Sequence, residues 1–218
     1  MTVRVLVVDD QGLVRAGFRS ILEREPDLEV VGEAADGVEA LDLLSRTEVD
    51  VVLMDVRMPR LDGIATTRLV VQRHPEVKVV VLTTYDLDEY LLEALRAGAS
   101  GFLLKDVRAE QLPGAVRAAA GGDVLLSGGP TRRLAEAFIP ARPQPSEAVA
   151  RLSPREREVL ERVAAGASNL EIAAQMHLGE TTVKTYVSRL LVKLGRRDRV
   201  GLVIEAYEQG LVPATPSP

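Results

Sequence analysis

Short, largely apolar runs alternate with amphipathic stretches along the first 123 residues of the chain. Such runs are typical of strands that are buried on both faces of a parallel sheet. Five strands are predicted, at Val3–Val8, Leu28–Val31, Val51–Met54, Val77–Thr83 and Gly101–Leu104. Helical spacing of the intervening apolar residues predicts five helices, at Gln11–Glu25, about Val38–Thr47, about Ile64–His74, Leu87–Ala97 and Arg108–Ala120. This alternation predicts an α/β domain over residues 1–123, with a five-stranded, doubly wound parallel sheet.

Residues 124–149 differ from the preceding segment because they are rich in glycine and proline and contain few apolar residues. The glycines and prolines concerned are Gly128, Gly129, Pro130, Pro140, Pro143 and Pro145. This composition is typical of a flexible linker, although Arg132–Phe138 has the pattern of a short helix. A third packed element is the alternative, and a composition so poor in apolar residues supports it weakly.

Helical signals return over residues 150–215 and predict a small all-α domain. Ser153 is a predicted N-cap, Pro154 occupies the first helical position, and Glu156 completes a capping box. The helix that they begin is predicted to end near Ala165. Asn169 is predicted to cap a second, shorter helix.

Two further helices complete a helix-turn-helix pattern. A tight turn at residues 177–179 leads to a predicted third helix that ends at Leu194, and a fourth helix is predicted at Val200–Tyr207. A short helix, a glycine-containing turn and a longer basic helix are typical of the helix-turn-helix motif. The alternative is a small helical bundle whose third helix merely presents a solvated face.

The composition excludes several kinds of site. The chain of 218 residues has no cysteine, which excludes disulfides, thiolate metal sites and cysteine nucleophiles. Its two histidines, His74 and His177, are far apart in the sequence, which argues against an all-protein zinc site. No apolar run is long enough to span a membrane, and acidic residues follow too soon after Met1 for a signal peptide. We therefore expect a cytoplasmic protein with no membrane partner.

The net charge of −5 is unevenly distributed along the chain. Residues 1–123 carry 14 Lys and Arg against 22 Asp and Glu, whereas residues 151–218 carry 10 against 8. Within the second segment, basic residues concentrate in Glu180–Arg199. An acidic first domain and a locally basic second domain indicate different partners for the two.

Polar side chains stand at the ends of four predicted strands. Asp9 and Asp10 follow the first strand, Asp55 follows the third, Thr83 ends the fourth and Lys105 follows the fifth. A parallel sheet brings the carboxyl ends of its strands to one edge, where ligands bind. An aspartate after a strand is by itself more often a turn former or a helix cap. The common placement of all five residues instead predicts a functional site.

The three carboxylates predict a phosphoryl-acceptor site. Two neighbouring carboxylates with a third across the crevice offer hard oxygen ligands of the kind that Mg²⁺ binds. The cation would neutralise an incoming phosphate, so that the Asp55 carboxylate could attack phosphorus and form an acyl phosphate. Lys105 would contact a phosphoryl oxygen, and Thr83 offers a hydroxyl that could follow the phosphoryl group.

Four motifs in residues 1–123 carry a resemblance to a known family. They read V-L-V-V-D-D, V-L-M-D-V-R-M-P-R-L-D-G, V-V-V-L-T-T and G-F-L-L-K-D. With these motifs the segment resembles the receiver domain of two-component response regulators, which has a flavodoxin-like fold. The resemblance implies Mg²⁺ as cofactor, with Asp10 as a direct ligand and Asp9 acting largely through water. It further implies that Asp55 is both ligand and phosphoacceptor and that the backbone carbonyl of Arg57 completes the protein ligands.

The same resemblance implies a switch and a partner. Thr83 and Phe102 correspond to the switch pair of receiver domains, and a sensor histidine kinase would be the phosphodonor. The sequence departs from many receivers at Asp106, where proline is common after the lysine. That departure does not affect Lys105 itself.

A second resemblance covers roughly Arg151–Tyr207. The sequence L-S-P-R-E-R-E-V-L…S-N-L-E-I-A…T-T-V-K-T-Y-V-S-R-L-L-V-K-L-G resembles the LuxR/NarL-type DNA-binding domain. The resemblance implies base contacts from Lys184, Thr185 and Ser188, and phosphate contacts from Thr182, Lys193 and Arg197. Gly179 stands where Ser or Thr often caps the recognition helix, and Tyr186 stands where His is frequent. Gly caps nearly as well, whereas Tyr186 could alter a backbone contact.

Together the two resemblances imply a NarL/FixJ-like response regulator, which is not an enzyme. We expect phosphorylation of Asp55 to control a transcription factor that binds double-stranded promoter DNA, with a homodimer forming on phosphorylation. One alternative is a phosphorylation-independent regulator in which the receiver is a dimerisation scaffold. Another is a phosphatase of the haloacid dehalogenase type. It is disfavoured because Arg57 stands where that class needs a second aspartate as general acid.

Overall fold

The computed structural model describes residues 2–83, 93–122 and 147–211. The chain divides into two compact units, Met1–Leu125 and Leu126–Pro218. The predicted boundaries of the linker, at residues 124 and 149, stay predictions. Most of that linker, with the short helix predicted at Arg132–Phe138, lies outside the described residues.

A five-stranded parallel sheet forms the centre of the first unit. The strands are β1 (Val3–Val8), β2 (Leu28–Ala34), β3 (Val51–Asp55), β4 (Lys78–Thr83) and β5 (Gly101–Leu104). Their order in the sheet is β2-β1-β3-β4-β5, and every neighbouring pair is parallel. The chain reverses its direction of winding between β1 and β3, and in such sheets a crevice opens at the carboxyl ends of those two strands. The predicted flavodoxin-like fold class is confirmed.

Helices cover both faces of this sheet. Helices α1 (Gly12–Leu22) and α4 (Leu112–Ala120) pack on one face. Val5 and Val7 of β1 contribute to the buried cluster there. Helices α2 (Gly37–Leu44) and α3 (Gly63–Arg73) contact each other and pack on the other face. The strands therefore have no polar face, which explains why their sequences read as nearly continuous apolar runs.

Several predicted elements of this unit have different limits in the structure. Helix α4 begins at Leu112 rather than Arg108, because Pro113 lies in its first turn and residues 108–111 form a separate turn. Proline is favoured at a helix start since the first backbone N–H groups have no partner there. Helix α2 ends at Leu44, before the predicted limit, and β2 continues to Ala34. Of the helix predicted at Leu87–Ala97, residues 93–96 are helical and residues 87–92 lie outside the described residues.

The described part of the second unit is all-helical. Its helices are α5 (Glu147–Ala150), α6 (Pro154–Ala164), α7 (Asn169–Met176), α8 (Glu180–Leu194) and α9 (Arg199–Glu208). The predicted capping box of α6 is present, with Ser153 as N-cap and Pro154 at the first position. The turn before α8 contains His177 in the left-handed conformation, with φ 54°. The predicted helix-turn-helix arrangement is confirmed.

The N-cap of α7 is Ser168, and the prediction that Asn169 caps this helix was wrong. Ser168 and Glu171 form a second capping box at this position. Asn169 is the first helical residue and is buried, where its Oδ1 accepts a hydrogen bond from Nη1 of Arg199 at 2.9 Å. Asn169 therefore joins α7 to α9 instead of satisfying the end of its own helix.

One apolar cluster holds α6 to α9 together. Val183, Val187 and Leu190 project from α8 into it, beside Leu160 of α6 and Ile172 of α7. These three positions of α8 recur at helical spacing, so the opposite side of α8 faces solvent. Across the described part of the chain, no helix combines the length and the apolar character that crossing a membrane needs.

Candidate functional site

Three carboxylates meet at the carboxyl edge of the sheet. Asp9 and Asp10 follow β1, and Asp55 is the last residue of the neighbouring strand β3. One oxygen from each of the three lies within 4.8 Å of the others. Asp9 and Asp55 are buried, whereas Asp10 is exposed to solvent. The prediction that these residues converge is confirmed by this geometry.

Lys105 reaches the same carboxylates from β5. Its Nζ lies 2.8 Å from Oδ2 of Asp9 and 3.0 Å from Oδ1 of Asp55. Because β4 separates β3 from β5, the lysine side chain extends past one intervening strand end to make these contacts. The backbone helps to fix its origin, since the amide N of Lys105 donates to the carbonyl of Thr83 at 2.8 Å.

The electrostatic environment raises the pKa values of both Asp55 and Lys105. Burial raises the pKa of Asp55 above its usual value of 3.8, and the neighbouring Asp9 charge adds to this, while the hydrogen bond from Lys105 opposes it. Burial lowers the pKa of Lys105, but its hydrogen bonds to Asp9 and Asp55 outweigh this and raise it overall. Lys105 is therefore held as the ammonium ion, and ionisation of Asp55 has a cost that a second cation would reduce.

The donor set fits a small hard cation. The carboxylates supply only oxygen atoms, and three of them against one ammonium leave an excess of negative charge. Asp9 is occupied on both oxygens, since Oδ1 accepts from the amide N of Gln11 at 2.9 Å and Oδ2 contacts Lys105. Asp10 and Asp55 are the carboxylates better placed to bind a cation directly. Mg²⁺ suits such a site because it uses few protein ligands and retains waters and phosphate oxygens.

The loop between β3 and α3 packs tightly beneath Asp55. The amide N of Gly63 donates to the carbonyl of Val56 at 2.9 Å and closes the loop at its base. A Cβ atom on Gly63 would lie 1.8 Å from the carbonyl oxygen of Asp55, so no side chain fits there. Arg57 lies in this loop with its side chain exposed.

The two predicted switch residues are buried, one on β4 and one on β5. Thr83 is the last residue of β4, one position beyond Leu82, which pairs with Asp55 of β3. Phe102 lies in β5 opposite Val81 and is 6% exposed. Thr83 is thus on the strand next to that of Asp55, and Phe102 is on the strand that leads into Lys105.

Sequence reasoning missed two arginines that hold the loops of this site. Nη1 of Arg15, on α1, donates to the carbonyl of Asp9 at 2.6 Å, and Nε contacts Glu33 at 3.3 Å. Arg60, in the β3–α3 loop, contacts Asp36 and Glu39. The sequence does contain a helix-start pattern, with Asp36 followed three residues later by Glu39. That pattern predicts a helix cap, but it does not predict that Arg60 pairs with these two residues.

The outer face of α8 presents the predicted base-reading residues. Lys184, Thr185 and Ser188 are all exposed, and so is Thr182. Lys184 is paired with Glu180 one turn earlier, at 3.0 Å, and the hydroxyl of Thr185 donates to the carbonyl of Thr181 at 2.9 Å. The structure therefore brings these four side chains to one solvent-facing surface.

The two remaining predicted DNA contacts are engaged within the second unit. Nζ of Lys193 lies 2.7 Å from Oε1 of Glu156, which ties α8 to the start of α6. Nε of Arg197 lies 3.3 Å from Oδ2 of Asp198, the N-cap of α9. Both side chains retain partial exposure, so a DNA phosphate could add to these contacts.

Comparison with known proteins supports both units. The family described as response regulator receiver domain matches residues 5–117, and the luxR family of bacterial regulatory proteins matches residues 150–206. The uncharacterized transcriptional regulatory protein YxjL of Bacillus subtilis is 41% identical over 212 residues, which cover 96% of this chain and 97% of YxjL. The chain belongs to the LuxR-type response regulators.

Solved structures of other response regulators extend the likeness over nearly the whole chain. The response regulator ChrA of a heme-sensing two-component system is 36% identical, with a TM-score of 0.51 over 97% of this chain and 99% of ChrA. A complex of the two-component response regulator RcsB with DNA gives a TM-score of 0.57 at 27% identity, over 93% of this chain and 96% of RcsB. The prediction that the chain is a response regulator of the NarL/LuxR group is confirmed.

Proposed function

We propose that this response regulator is a DNA-binding transcriptional regulator that is activated by phosphorylation of Asp55. The observation that carries the proposal is the arrangement of a buried carboxylate between two further carboxylates and the Nζ of Lys105. It is the arrangement expected of a nucleophile, a cation site and a fixed positive charge for phosphoryl transfer. The protein would act in the cytoplasm, with a sensor histidine kinase as its donor.

Phosphorylation would form an acyl phosphate on Asp55. A carboxylate oxygen of Asp55 forms a bond to phosphorus while the P–N bond of the kinase phosphohistidine breaks, and the released imidazole takes up a proton. Asp10, Asp55 and the backbone carbonyl of Arg57 would hold Mg²⁺, with Asp9 acting through water. When bound, the cation supplies neutralisation of the charge on the transferring phosphoryl group. Lys105 would turn from Asp55 to a phosphoryl oxygen.

The response would be a shift between two pre-existing conformations. Thr83 lies at the end of β4, where its hydroxyl could follow the phosphoryl group, and Phe102 would move with it. A ligand shifts such an equilibrium only by its differential affinity for the two states. The phosphoryl group would favour one of them through contacts to Thr83 and Lys105. We propose that this state forms the homodimer that binds promoter DNA.

DNA recognition would use the exposed face of α8. Lys184, Thr185 and Ser188 would read base edges in the major groove, while Thr182, Lys193 and Arg197 would contact phosphates. One small module offers limited affinity, so two modules on paired half-sites would bind more tightly. The RcsB–DNA complex supports this part of the proposal because that relative was solved on DNA.

Intact mass spectrometry tests the acceptor. Native protein and Asp55→Asn are incubated with acetyl phosphate and Mg²⁺, and binding to a DNA duplex enriched from a random library is followed in parallel. We expect one added phosphoryl group on the native protein alone, together with tighter DNA binding.

If only the kinase can phosphorylate Asp55, acetyl phosphate will add no mass. The test is then repeated with beryllofluoride, which mimics the acyl phosphate without a donor. If neither the donor nor beryllofluoride changes DNA affinity or oligomeric state, phosphorylation-dependent activation is wrong. The receiver is then the scaffold of a phosphorylation-independent regulator, and Asp55→Asn will bind DNA as the native protein does.

A further inference from the structure

The loop between β3 and α3 is anchored at two places. At its base, the amide N of Gly63 donates to the carbonyl of Val56. At its outer end, the amide N of Gly37, at the start of α2, donates to the carbonyl of Leu61 at 3.2 Å. Arg57 lies between the two anchors. The position of Arg57 therefore depends on both hydrogen bonds.

Arg60 adopts a backbone conformation that arginine rarely takes. Its φ is 61°, and the amide N of Leu61 donates to the carbonyl of Pro59 at 2.7 Å, which closes a tight γ-turn around Arg60. A γ-turn with a positive φ at its central residue is rare and strained. Glycine would take this conformation without a steric penalty. An arginine here indicates that its side chain has contacts that offset the strain.

Those contacts are made with the first turn of α2. The guanidinium of Arg60 pairs with the carboxylate of Asp36 through Nε and Nη2, and Nη2 also lies 2.7 Å from Oε1 of Glu39. Asp36 is buried and caps α2, with Oδ1 accepting from the amides of Val38 at 2.9 Å and Glu39 at 3.1 Å. Arg60, Asp36 and Glu39 are called the Arg60 latch below.

The latch involves a carboxylate that stays ionised. Burial acts to raise the pKa of Asp36, but the hydrogen bonds from the Glu39 amide, from Arg60 and from the Val38 amide together lower it. Arg60 is thus the charged partner of a buried anion, while its own backbone forms the outer end of the loop. The contact joins α2 to the segment that follows Asp55.

We propose that Arg60 is a positioning residue for the cation site, because it fixes the loop that carries the Arg57 carbonyl. The inference rests on the proposed function, in which that carbonyl completes the ligands of Mg²⁺. In this proposal Arg60 itself would contact neither cation nor phosphate. It acts by pinning the outer end of the loop to α2, while Gly63 pins the base against Asp55.

The substitution Arg60→Gly removes the side-chain contacts of the latch without adding strain to the backbone. Glycine relieves the strain at φ 61° and removes the contacts to Asp36 and Glu39, so the chain should fold. Arg46→Gly is the matched control, since it removes an exposed arginine that pairs with Asp42 at 3.0 Å in the same unit. Arg60→Lys restores a cation that can pair with Asp36 and serves as the conservative variant.

Mg²⁺ binding is measured directly by isothermal titration calorimetry on the full-length protein without a phosphodonor. We expect the Mg²⁺ dissociation constant of Arg60→Gly to rise about 10-fold, the lower end of the range for residues that orient metal ligands. Arg46→Gly should bind as the native protein does, and Arg60→Lys should recover most of the affinity. At saturating Mg²⁺, the rate of phosphorylation by acetyl phosphate should be unchanged in Arg60→Gly.

Three results would overturn the inference. They are an unchanged dissociation constant in Arg60→Gly, an equal change in Arg46→Gly, and a lowered phosphorylation rate that excess Mg²⁺ does not restore. Failure of the proposed function is distinguishable from each. In that case the native protein would accept no phosphoryl group on Asp55, whereas the calorimetric comparison would still report whether Arg60 affects cation binding.

Discussion

At the scale of single residues, Asp55 and Lys105 have opposite energetic effects on the folded receiver. Asp55 is buried beside Asp9, which makes its negative charge unfavourable in the folded state. Lys105 compensates part of that charge through contacts of 2.8 and 3.0 Å with the two carboxylates. Stability is thus given up at Asp55, which is common where a site must bind something else.

Asp55→Asn should therefore stabilise the protein at neutral pH. The raised pKa of Asp55 means that its contribution to stability is fully present below pH 3.8 and is lost as the pH rises through the folded-state value. Asparagine carries no charge and avoids that loss, so we expect Asp55→Asn to have a higher free energy of unfolding than the native protein at pH 7. Thermal unfolding followed by circular dichroism in metal-free buffer measures the difference.

The comparison has two internal controls. The advantage of Asp55→Asn should shrink as the pH is lowered towards 3.8, and added Mg²⁺ should stabilise only the native protein. A native protein that is more stable than Asp55→Asn at pH 7 without metal would contradict the expectation.

Lys105→Met should be strongly destabilising in the absence of Mg²⁺. It leaves Asp9 and Asp55 buried together without a cation, and loss of one partner from such a group costs about 3 kcal/mol. The double variant Lys105→Met/Asp55→Asn should lose less than the single variant, because one of the two charges has gone. Urea unfolding measures both. Lys184→Met, which removes an exposed lysine, should cost less than about 1 kcal/mol.

At the scale of secondary-structure elements, the second unit depends on two capping boxes with different surroundings. Glu156 at the start of α6 is buried and pairs with Lys193 of α8. Glu171 at the start of α7 is exposed, and its Oε2 accepts from the amide and hydroxyl of Ser168 at 2.7 and 2.8 Å. The first box therefore fixes the end of α8 as well as its own helix.

Glu156→Gln should destabilise α6 more than Glu171→Gln destabilises α7. The hydrogen bonds from Lys193 and then Ser153 lower the pKa of Glu156 from 4.5 to about 2. Its stabilising effect is present above pH 4.5 and is lost as the pH falls towards 2. We expect a cost of about 2 kcal/mol for Glu156→Gln and a smaller cost for Glu171→Gln. Hydrogen exchange of the helical amides in the full-length protein measures each.

The pH dependence distinguishes charge pairing from simple capping. The difference in exchange between native protein and Glu156→Gln should narrow between pH 4.5 and the lowest accessible pH. An equal effect of the two substitutions at neutral pH would mean that Lys193 adds nothing to the cap.

The strand ends show how much of this molecule can be predicted from its sequence. Asp9, Asp55 and Lys105 were predicted to meet because period and polarity identify the strands, and a parallel sheet leaves one edge for their carboxyl ends. The first residue of a helix was less predictable where two adjacent residues both favour the N-cap position. Ser168 and Asn169 are adjacent and both favour an N-cap, and only the packing of α9 decides that Asn169 is buried.

The Arg60 latch could not be predicted by the same reasoning. No local signal places an arginine at a positive φ, since sequence rules reserve that conformation for glycine and asparagine. Its partner Asp36 lies in a different element and becomes available only when α2 and α3 pack together. Tertiary contacts determine the backbone here, against local preference.

At the scale of the whole molecule, the charge distribution limits how the proposed phosphorylation could act. Residues 1–123 carry an excess of eight acidic groups, and residues 151–218 an excess of two basic groups. A phosphoryl group adds further negative charge to the acidic part. That charge would not strengthen the attraction of the protomer to DNA, so the proposed activation would have to come from a change in assembly or conformation.

The salt dependence of DNA binding should report that change. If beryllofluoride brings two DNA-binding units onto one duplex, the number of phosphates contacted doubles, and the slope of log K against log salt becomes about twice as steep. Fluorescence anisotropy with an enriched duplex at several salt concentrations measures the slope. An unchanged slope with increased affinity would indicate activation within one protomer.

The distribution of the site over three strands has a consequence for synthesis. Asp9 and Asp55 are made early, but Lys105 follows β5, the last strand of the sheet to leave the ribosome. A nascent chain that still lacks β5 has the three carboxylates of the site but not Lys105, the cation that contacts two of them. Under the proposed function, the chain would therefore accept a phosphoryl group from a kinase only once the sheet is complete, and a truncated or stalled product would not.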